Sequence, residues 1–238
     1  MKLIKKIVLG TMKLKENFTN SNNLSKFLDY AQNRGIRQFH VCDEYSSYNL
    51  LVKSLQKINT KKFTFILKLC EPRTDKLKFS FKKFKKKIFK YQKDLGKKHN
   101  YIIQFVNRHK CNFPKEHLLS QKKIFDNIQI PIANLKKNKI IKSFYFFPYH
   151  TNTNEIKQYK FIDGITSYRN IYERQNDNYA KINNYKIIAM RTFGGEKKIV
   201  TKKNLKKLIT FNSNNKLVKK IIVGINSKKQ LDQLLEIC

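Results

Sequence analysis

Residues that bend or break a chain are scarce in this sequence. Its 238 residues include 7 glycines, 4 prolines and no tryptophan, and neither a low-complexity linker nor a sharp change of composition divides it. A chain of this length without a linker is expected to form one domain or at most two. We predict a single domain over residues 1–238, because one structural pattern repeats from end to end.

Long apolar runs and closely spaced cysteines are also missing. No run of about 18 apolar residues is present, so no membrane-spanning helix is expected. The first residues, MKLIKKIVLGTMKLKE, are too rich in lysine for a secretory signal. The four cysteines lack CxxC spacing, which argues against a zinc site and a disulfide framework. We therefore expect a cytoplasmic protein without a bound metal, in which Cys42 and Cys70 are packing residues.

Acidic residues are few, and the protein is strongly basic. The chain holds 52 Lys and Arg against 16 Asp and Glu, a formal net charge of +36. Such a charge favours anionic partners, including nucleic acid and phosphorylated substrates. However, only 7 of the basic residues are arginine, the residue that nucleic-acid surfaces use for bidentate contacts.

A second explanation of the charge is compositional. More than half of the chain consists of Lys, Asn, Ile, Phe and Tyr, whose codons are rich in A and T. The charge therefore also fits a mutational drift, and both explanations stay open. A polyanion such as nucleic acid is kept as an alternative partner to a small molecule.

What the sequence does contain is a repeated pair of segments, a short apolar run followed by an amphipathic one. Strands alternating with helices predict a parallel sheet, and eight such units predict closure into a (β/α)₈ TIM barrel. An open doubly wound sheet is the alternative, although no GxGxxG follows the first strand. The predicted strands are residues 6–10, 37–41, 63–68, 101–106, 142–147, 161–166, 186–190 and 220–223.

The helical segments are less uniform than the strands. The first runs from Leu24 to Arg34, with Asn22 or Asn23 as N-cap and Gly35 as its stop. Further helices are predicted over 48–58, 76–95, 203–211 and 228–238, with weaker ones near 154 and over 177–182. Residues 115–137 are the least regular, and Pro131 is expected to interrupt or start a helix there.

Titratable and polar residues are dense where the predicted strands end, the edge that carries chemistry in such barrels. We therefore expect the functional site at this rim. The rim residues are Thr11, His40, Asp43, Glu44, Tyr45, Lys68, Cys70, Asn107, Arg108, His109, Tyr149, His150, Thr166, Arg191, Gly224, Asn226 and Ser227.

Several segments, in order, resemble the aldo-keto reductases. KIVLGT is similar to their first strand, and GIRQFHVCDEYSSYNLLVKSL to their second βα unit, G-I-x-x-F-D-T-A-x-x-Y-G. FTFILK resembles their third strand, which ends in lysine, and YIIQFVNRH their fourth, which ends in histidine. NIYERQ resembles their sixth-strand loop, and IIVGINSKKQLDQLLE their eighth unit. Each motif is weak alone, but their order makes the match specific.

The resemblance implies a mechanism and a set of site residues. In the family a tyrosine protonates a carbonyl oxygen while a nicotinamide gives hydride, a lysine lowers the pKa of the tyrosine, an aspartate orients the lysine, and a histidine positions the carbonyl. The tyrosine falls on Tyr45 and the lysine on Lys68. The aspartate position is His40, and the histidine position is Arg108, with His109 beside it.

The resemblance also implies NADP or NAD as cofactor. Its phosphates are expected at Gly224, Asn226, Ser227 and Gln230, and near Arg191. From the residues alone, Ser227 is equally well the N-cap of an ordinary helix.

Three departures from the family pattern concern the cofactor and the substrate pocket. The Ser and Asn that hold the carboxamide in G-V-S-N are replaced by Phe146 and Phe147. The tyrosine that stacks on the nicotinamide falls on Arg169 or Tyr168. From the resemblance, we also expect no counterpart of the family's long C-terminal loop.

Several functions remain open on this reading. The first is an oxidoreductase of the aldo-keto reductase type that reduces a small carbonyl or sugar-derived substrate. The second is a barrel of that ancestry that has lost hydride chemistry and binds a ligand or catalyses another reaction. The third is a polyanion-binding protein. Arg108 with His109 would bind an anionic substrate group or form a surface loop, and Asp43 would be a counter-ion or a solvated carboxylate.

Overall fold

The chain folds into a closed barrel of eight parallel strands. The computed structural model describes residues 3–70, 79–106, 118–148, 158–174, 176–194 and 202–238. Each strand pairs in parallel with the next, and the last returns to the first through the register Ile7↔Ile221. The prediction of a (β/α)₈ barrel is confirmed, and the open sheet is wrong. The strands are β1 (Ile7–Gly10), β2 (Gln38–Val41), β3 (Thr64–Cys70), β4 (Asn100–Val106), β5 (Ser143–Phe147), β6 (Gly164–Asn170), β7 (Lys186–Met190) and β8 (Val218–Gly224).

Helices follow the strands and pack around them. They are α1 (Leu14–Asn17), α2 (Ser21–Asn33), α3 (Tyr48–Leu55), α4 (Phe81–Leu95), α5 (Leu118–Lys137), α6 (Asp177–Ile182), α7 (Lys202–Ser213) and α8 (Lys228–Leu235). The helix predicted near residue 154 lies outside the described residues. In the described part of the chain, no helix combines the length and apolarity that a membrane crossing needs.

Two sequence expectations about the helices are wrong. Helix α2 begins earlier than predicted, because the side chain of Asn20, and not Asn22 or Asn23, caps it by accepting from the Asn23 amide at 2.9 Å. Pro131 lies inside α5 and does not end it. A proline within a helix costs about 3 kcal/mol, and here the helix is held by an apolar face spaced at helical intervals. That buried face consists of Ile124, Phe125, Ile128, Ile132 and Leu135.

Alternation along the strands separates two cores. One set of side chains points into the barrel, and the opposite set packs against the helices in the main core. This is the pattern of a closed barrel, whose strands are buried on both faces. The hydrophobic cluster inside the barrel consists of Val8, Ile66, Ile102, Tyr145 and Ile188, with Ile222 packed against it.

Strand β6 begins with a glycine that both of its neighbours, β5 and β7, approach closely. A Cβ atom at Gly164 would lie 2.2 Å from the carbonyl oxygen of Lys186 and 2.7 Å from Cε1 of Tyr145. Strand β6 also starts later than predicted, at Gly164 and not at Phe161. Phe161 packs among aromatic rings before the strand begins. Its apolar character therefore reflects burial and not strand structure.

Candidate active site at the mouth of the barrel

The carboxyl ends of the strands bring the predicted tyrosine and lysine together. Tyr45 lies in the turn after β2, and Lys68 lies near the end of β3. The Nζ atom of Lys68 is 5.7 Å from the centroid of the Tyr45 ring. The ring of His40 is 6.2 Å from the same ring, centroid to centroid. Tyr45, Lys68 and His40 therefore form one cluster at the mouth.

Local hydrogen bonds hold the turn that carries Tyr45. The Tyr45 amide donates to the carbonyl of Cys42 at 3.1 Å. The Ser47 hydroxyl donates to the carbonyl of Thr11 at 2.6 Å, and the Thr11 hydroxyl donates to the carbonyl of His40 at 2.9 Å. Because these contacts tie the turn to the end of β1, the position of the phenol is set by backbone and not only by side-chain packing.

His40 is buried and linked across the barrel to Gln104. Its Nε2 lies 2.6 Å from the Oε1 of Gln104. The Nε2 of Gln104 in turn donates to the Thr166 hydroxyl at 3.1 Å and contacts the sulfur of Met190 at 3.0 Å. With its amide hydrogens directed there, Gln104 offers oxygen to His40, which assigns the imidazole proton to Nε2.

The charge state of His40 follows from this setting. Its pKa is lowered from the usual 6.5 to about 4, mainly by burial and also by the charge of Lys68, while the Gln104 hydrogen bond acts in the opposite direction. His40 is therefore a neutral imidazole near pH 7, unlike the carboxylate that the family carries at this position. Sequence reasoning missed Gln104, although a single polar residue in the apolar run YIIQFV was a usable signal.

Asp43 does not serve as a replacement counter-ion for Lys68. Its Oδ1 accepts a hydrogen bond from the Tyr91 hydroxyl at 2.9 Å, and its backbone amide donates to the Tyr91 hydroxyl oxygen at 2.5 Å. This contact directs the carboxylate towards α4, so it is neither a counter-ion nor a simply solvated group. No ion pair among the described residues includes Lys68.

Other predicted rim residues cannot be placed in this way. Arg108 and His109 lie outside the described residues, as do Tyr149 and His150. The role expected for the family histidine therefore stays a prediction.

Of the two candidates for the nicotinamide-stacking position, only Tyr168 faces the mouth. Its ring packs edge-on against Phe147 at 5.0 Å, beside Val106 and Met190. Arg169 points the other way, is 4% exposed and pairs with Asp177 at 2.8 Å. The one-residue ambiguity of the sequence match is therefore resolved in favour of Tyr168.

The face of Tyr168 is covered by Arg191. The guanidinium carbon lies 3.8 Å from the centroid of the tyrosine ring, and one guanidinium nitrogen is 3.9 Å from Glu173. Arg191 has a positive φ of 50°, which is uncommon for a residue with a side chain. Its carbonyl accepts from the Asn170 side chain at 3.0 Å, which helps to hold this backbone conformation.

The predicted phosphate site at the start of α8 is a capped helix. The Ser227 hydroxyl accepts from the Gln230 amide at 3.2 Å, and the Gln230 side chain accepts from the Asn226 amide at 3.0 Å. This pair of contacts resembles a capping box, except that Gln230 reaches back to the residue before the N-cap and not to the N-cap itself. It leaves the first-turn amides of Lys228 and Lys229, which have no intrahelical acceptor. At Gly224 a Cβ atom would meet nothing within 4 Å, so a ligand has room there.

A nicotinamide dinucleotide fits these residues on one condition. At the phosphate end, Gly224 and the two free amides offer space and donors at a helix N-terminus. At the ring end, Tyr168 offers an aromatic face, provided that Arg191 leaves it. The carboxamide partners of the family are absent, since Phe146 and Phe147 are buried hydrocarbon at that position.

Comparison with known proteins identifies the fold. No family model matches the sequence, and the curated proteins contain no match. Among solved structures, the chain is similar to an aldo-keto reductase from Bacillus halodurans in its holo form, with a TM-score of 0.72 and 13% identity over 98% of this chain and 86% of that one. It is similar to an aldo-keto reductase from Brucella melitensis, with a TM-score of 0.70 and 12% identity over 98% and 88%.

A third neighbour carries a cofactor. It is an aldo-keto reductase from Klebsiella pneumoniae in complex with NADP and acetate, with a TM-score of 0.67 and 10% identity over 98% of this chain and 85% of that one. At such identities the likeness concerns the fold, and the activity has to be argued from the residues of this chain. The chain is therefore a barrel with the fold of the aldo-keto reductases.

Proposed function

We propose that this chain is an NAD(P)H-dependent oxidoreductase that reduces a small carbonyl compound, with Tyr45 as the proton donor. The observation that carries the proposal is the pairing of Tyr45 with Lys68, whose Nζ is 5.7 Å from the phenol ring. A half-buried phenol next to an ammonium at the carboxyl ends of the strands suits proton donation in a barrel of this fold.

The residues of the mouth have separate parts in this proposal. Tyr45 donates its proton to the carbonyl oxygen of the substrate, and the Lys68 ammonium stabilises the negative charge left on the phenol. The bound dinucleotide would supply the hydride. His40 and Gln104, which contact each other at 2.6 Å, form the buried polar surroundings of this pair. The tyrosine then regains a proton from solvent, which completes the cycle.

Cofactor binding would involve the second half of the barrel. Gly224, the capped start of α8 and the amides of Lys228 and Lys229 would hold phosphate, while Tyr168 would face the nicotinamide. Arg191 would have to leave the tyrosine ring before a nicotinamide could stack on it. Arg108 and His109 are proposed to position the substrate carbonyl.

A second candidate function is favoured by two observations. Arg191 occupies the face of Tyr168 at 3.8 Å, and two phenylalanines replace the carboxamide partners. Both features are expected of a barrel that does not bind a dinucleotide and uses its mouth for another ligand.

The test is a titration followed by a point variant. NADPH and NADH are titrated into the protein by calorimetry, and turnover is then followed with a panel of small aldehydes, ketones and sugars. The proposal expects dinucleotide binding and a loss of about 10²- to 10⁴-fold in kcat for Tyr45→Phe with little change in dinucleotide Kd.

The matched control is Tyr185→Phe, which removes the same atom next to the opposite end of β7. Absence of dinucleotide binding at low salt would exclude the proposed function and leave the second candidate. Unchanged turnover in Tyr45→Phe would exclude the assigned acid.

A further inference from the structure

Lys68 carries a charge that the described part of the mouth does not balance. Its Nζ contacts the Tyr45 ring, and no ion pair among the described residues includes it. It is also half-buried, so water screens its charge less than that of a surface lysine. An ammonium in this situation attracts an anionic group of a ligand.

His40 is the reason for the imbalance. It holds the place where the resemblance expects an aspartate, and its Nε2 faces the Gln104 oxygen at 2.6 Å. The amide hydrogens of Gln104 are directed to Thr166 and Met190, so Gln104 cannot turn its nitrogen to His40 without losing them. His40 thus stays a neutral group, and the depressed pKa of about 4 agrees with this geometry.

The remaining described groups around the mouth supply little compensation. Val106, Phe147 and Met190 are apolar, and Asp43 is directed to Tyr91. Glu44, next to Tyr45, is exposed to solvent and forms no ion pair with Lys68. Glu173 lies 3.9 Å from Arg191, a second cation at the rim. Relative to a mouth with an aspartate at position 40, this one is more positive by one charge.

On the basis of the proposed function, we propose that the site selects carbonyl compounds with an anionic oxygen group next to the carbonyl, such as 2-oxo acids. His40 is the residue that sets this selectivity, because it leaves the Lys68 ammonium unpaired and available to the substrate anion. The net charge of +36 alone does not give this selectivity, since it draws all anions to the whole surface.

The experiment compares two substrates that differ in charge and hardly in shape, pyruvate and pyruvamide. Their binding is measured by calorimetry without dinucleotide, and kcat/KM is measured with the dinucleotide that binds. The variants are His40→Asp, which adds a carboxylate beside Lys68, and His40→Asn, which is neutral. Lys216→Gln, at an exposed lysine before β8, lowers the net charge by the same amount as His40→Asp but far from the mouth.

We expect the wild type to prefer pyruvate by at least about tenfold in both binding and kcat/KM. His40→Asp is expected to reduce this preference by about 10- to 100-fold, while His40→Asn and Lys216→Gln keep it within about threefold. A structural defect would lower the affinity and kcat/KM for both substrates by the same factor. The ratio between pyruvate and pyruvamide would then stay unchanged, so this ratio isolates the charge effect.

The outcomes separate this inference from the proposed function. Turnover without preference for the acid, or an equal preference in His40→Asp, overturns the inference and leaves the reductase proposal intact. Selective binding of pyruvate that His40→Asp removes, without turnover with either dinucleotide, supports anion recognition by Lys68 and overturns the reductase activity. If His40→Asp does not fold, Lys68→Met replaces it in the binding arm, with loss of the preference as the supporting result and its retention as the contrary one.

Discussion

The two halves of the barrel mouth depart from the aldo-keto reductase pattern in different ways. In the first half, formed by β2–β4, Tyr45 and Lys68 match the sequence pattern, while His40 stands at the position of its aspartate and Arg108, outside the described residues, at that of its histidine. In the second half, formed by β5–β8, Arg191 covers the aromatic face of Tyr168, and Phe146 and Phe147 stand where polar groups would hold a carboxamide. Among the described residues, the pair suited to proton transfer thus matches the sequence pattern better than the surface suited to a cofactor does. Variants in each half measure how far this difference extends to function.

The largest expected effect concerns the packing of β6 against its neighbours β5 and β7 in the second half of the barrel. Gly164→Ala would place a methyl group 2.2 Å from the carbonyl oxygen of Lys186, and backbone atoms on neighbouring strands cannot yield cheaply. We expect a loss of more than about 4 kcal/mol in the free energy of unfolding, measured by urea denaturation. Gly224→Ala is the control, because its added Cβ meets nothing within 4 Å. Equal stability of the two variants would show that this packing is looser than described.

The next effect tests the first half. Lys68→Met keeps the length of the side chain and removes its charge, so Tyr45 loses the cation that stabilises its anionic form. We expect kcat to fall by about 10²- to 10³-fold with dinucleotide Kd changed less than about twofold. Lys90→Met is the matched control, since Lys90 also lies over a tyrosine ring, 5.0 Å from that of Tyr48, but outside the mouth. A large rise in dinucleotide Kd would mean that Lys68 also contributes to dinucleotide binding, which is assigned to the second half.

The stability of the first half should depend on pH through His40. Its pKa is lowered from 6.5 to about 4, so the unfolded chain takes up the proton first. The contribution of neutral His40 is full above pH 6.5 and is lost as the pH falls towards 4, by about 3 kcal/mol. His99, whose pKa burial also lowers to about 4, adds to the same range. In His40→Asn, the slope of unfolding free energy against pH from 4 to 6.5 should be shallower by up to one proton, and an unchanged slope would contradict this.

The smallest effect concerns Arg191 in the second half. Its stacking on Tyr168 is worth about 0.5–2 kcal/mol, which a nicotinamide ring has to replace. We expect Arg191→Ala to bind NADPH or NADH about 3- to 30-fold more tightly, as measured by calorimetry. Arg174→Ala, which removes a guanidinium 5.0 Å from the Phe211 ring, should leave the affinity unchanged. Weaker binding in Arg191→Ala would show that Arg191 holds the cofactor and does not obstruct it.

Much of the fold followed from local pattern, and the exceptions have physical causes. All eight strands were predicted, because short apolar runs that alternate with amphipathic segments are compatible with few folds other than alternating strands and helices. The sixth strand was misplaced because Phe161 is buried before the strand and the polar residues after Thr166 are buried within it. Pro131 was expected to break α5, but its buried face keeps the helix intact. Such errors arise where packing over distance outweighs a local preference.

The candidate site was predictable only in part. The motifs located Tyr45, Lys68 and His40 at one rim, and the structure brings all three together. No motif indicated the His40–Gln104 contact, because 64 residues separate the two, nor the position of Arg191 over Tyr168. The sequence offered Ser227 as an N-cap or as part of a phosphate site, and the structure shows the N-cap, with the Ser227 side chain accepting from the Gln230 amide.

The sequence by itself determined the architecture and the chemical groups at the strand ends, because strand and helix periodicity and the order of βα units act locally along the chain. The tertiary structure alone decided the charge and access of those groups. Whether His40 is neutral, whether Lys68 has a counter-ion and whether Tyr168 is open depend on side chains that meet only when the barrel closes, where low dielectric and fixed neighbours set the energies of charge and contact.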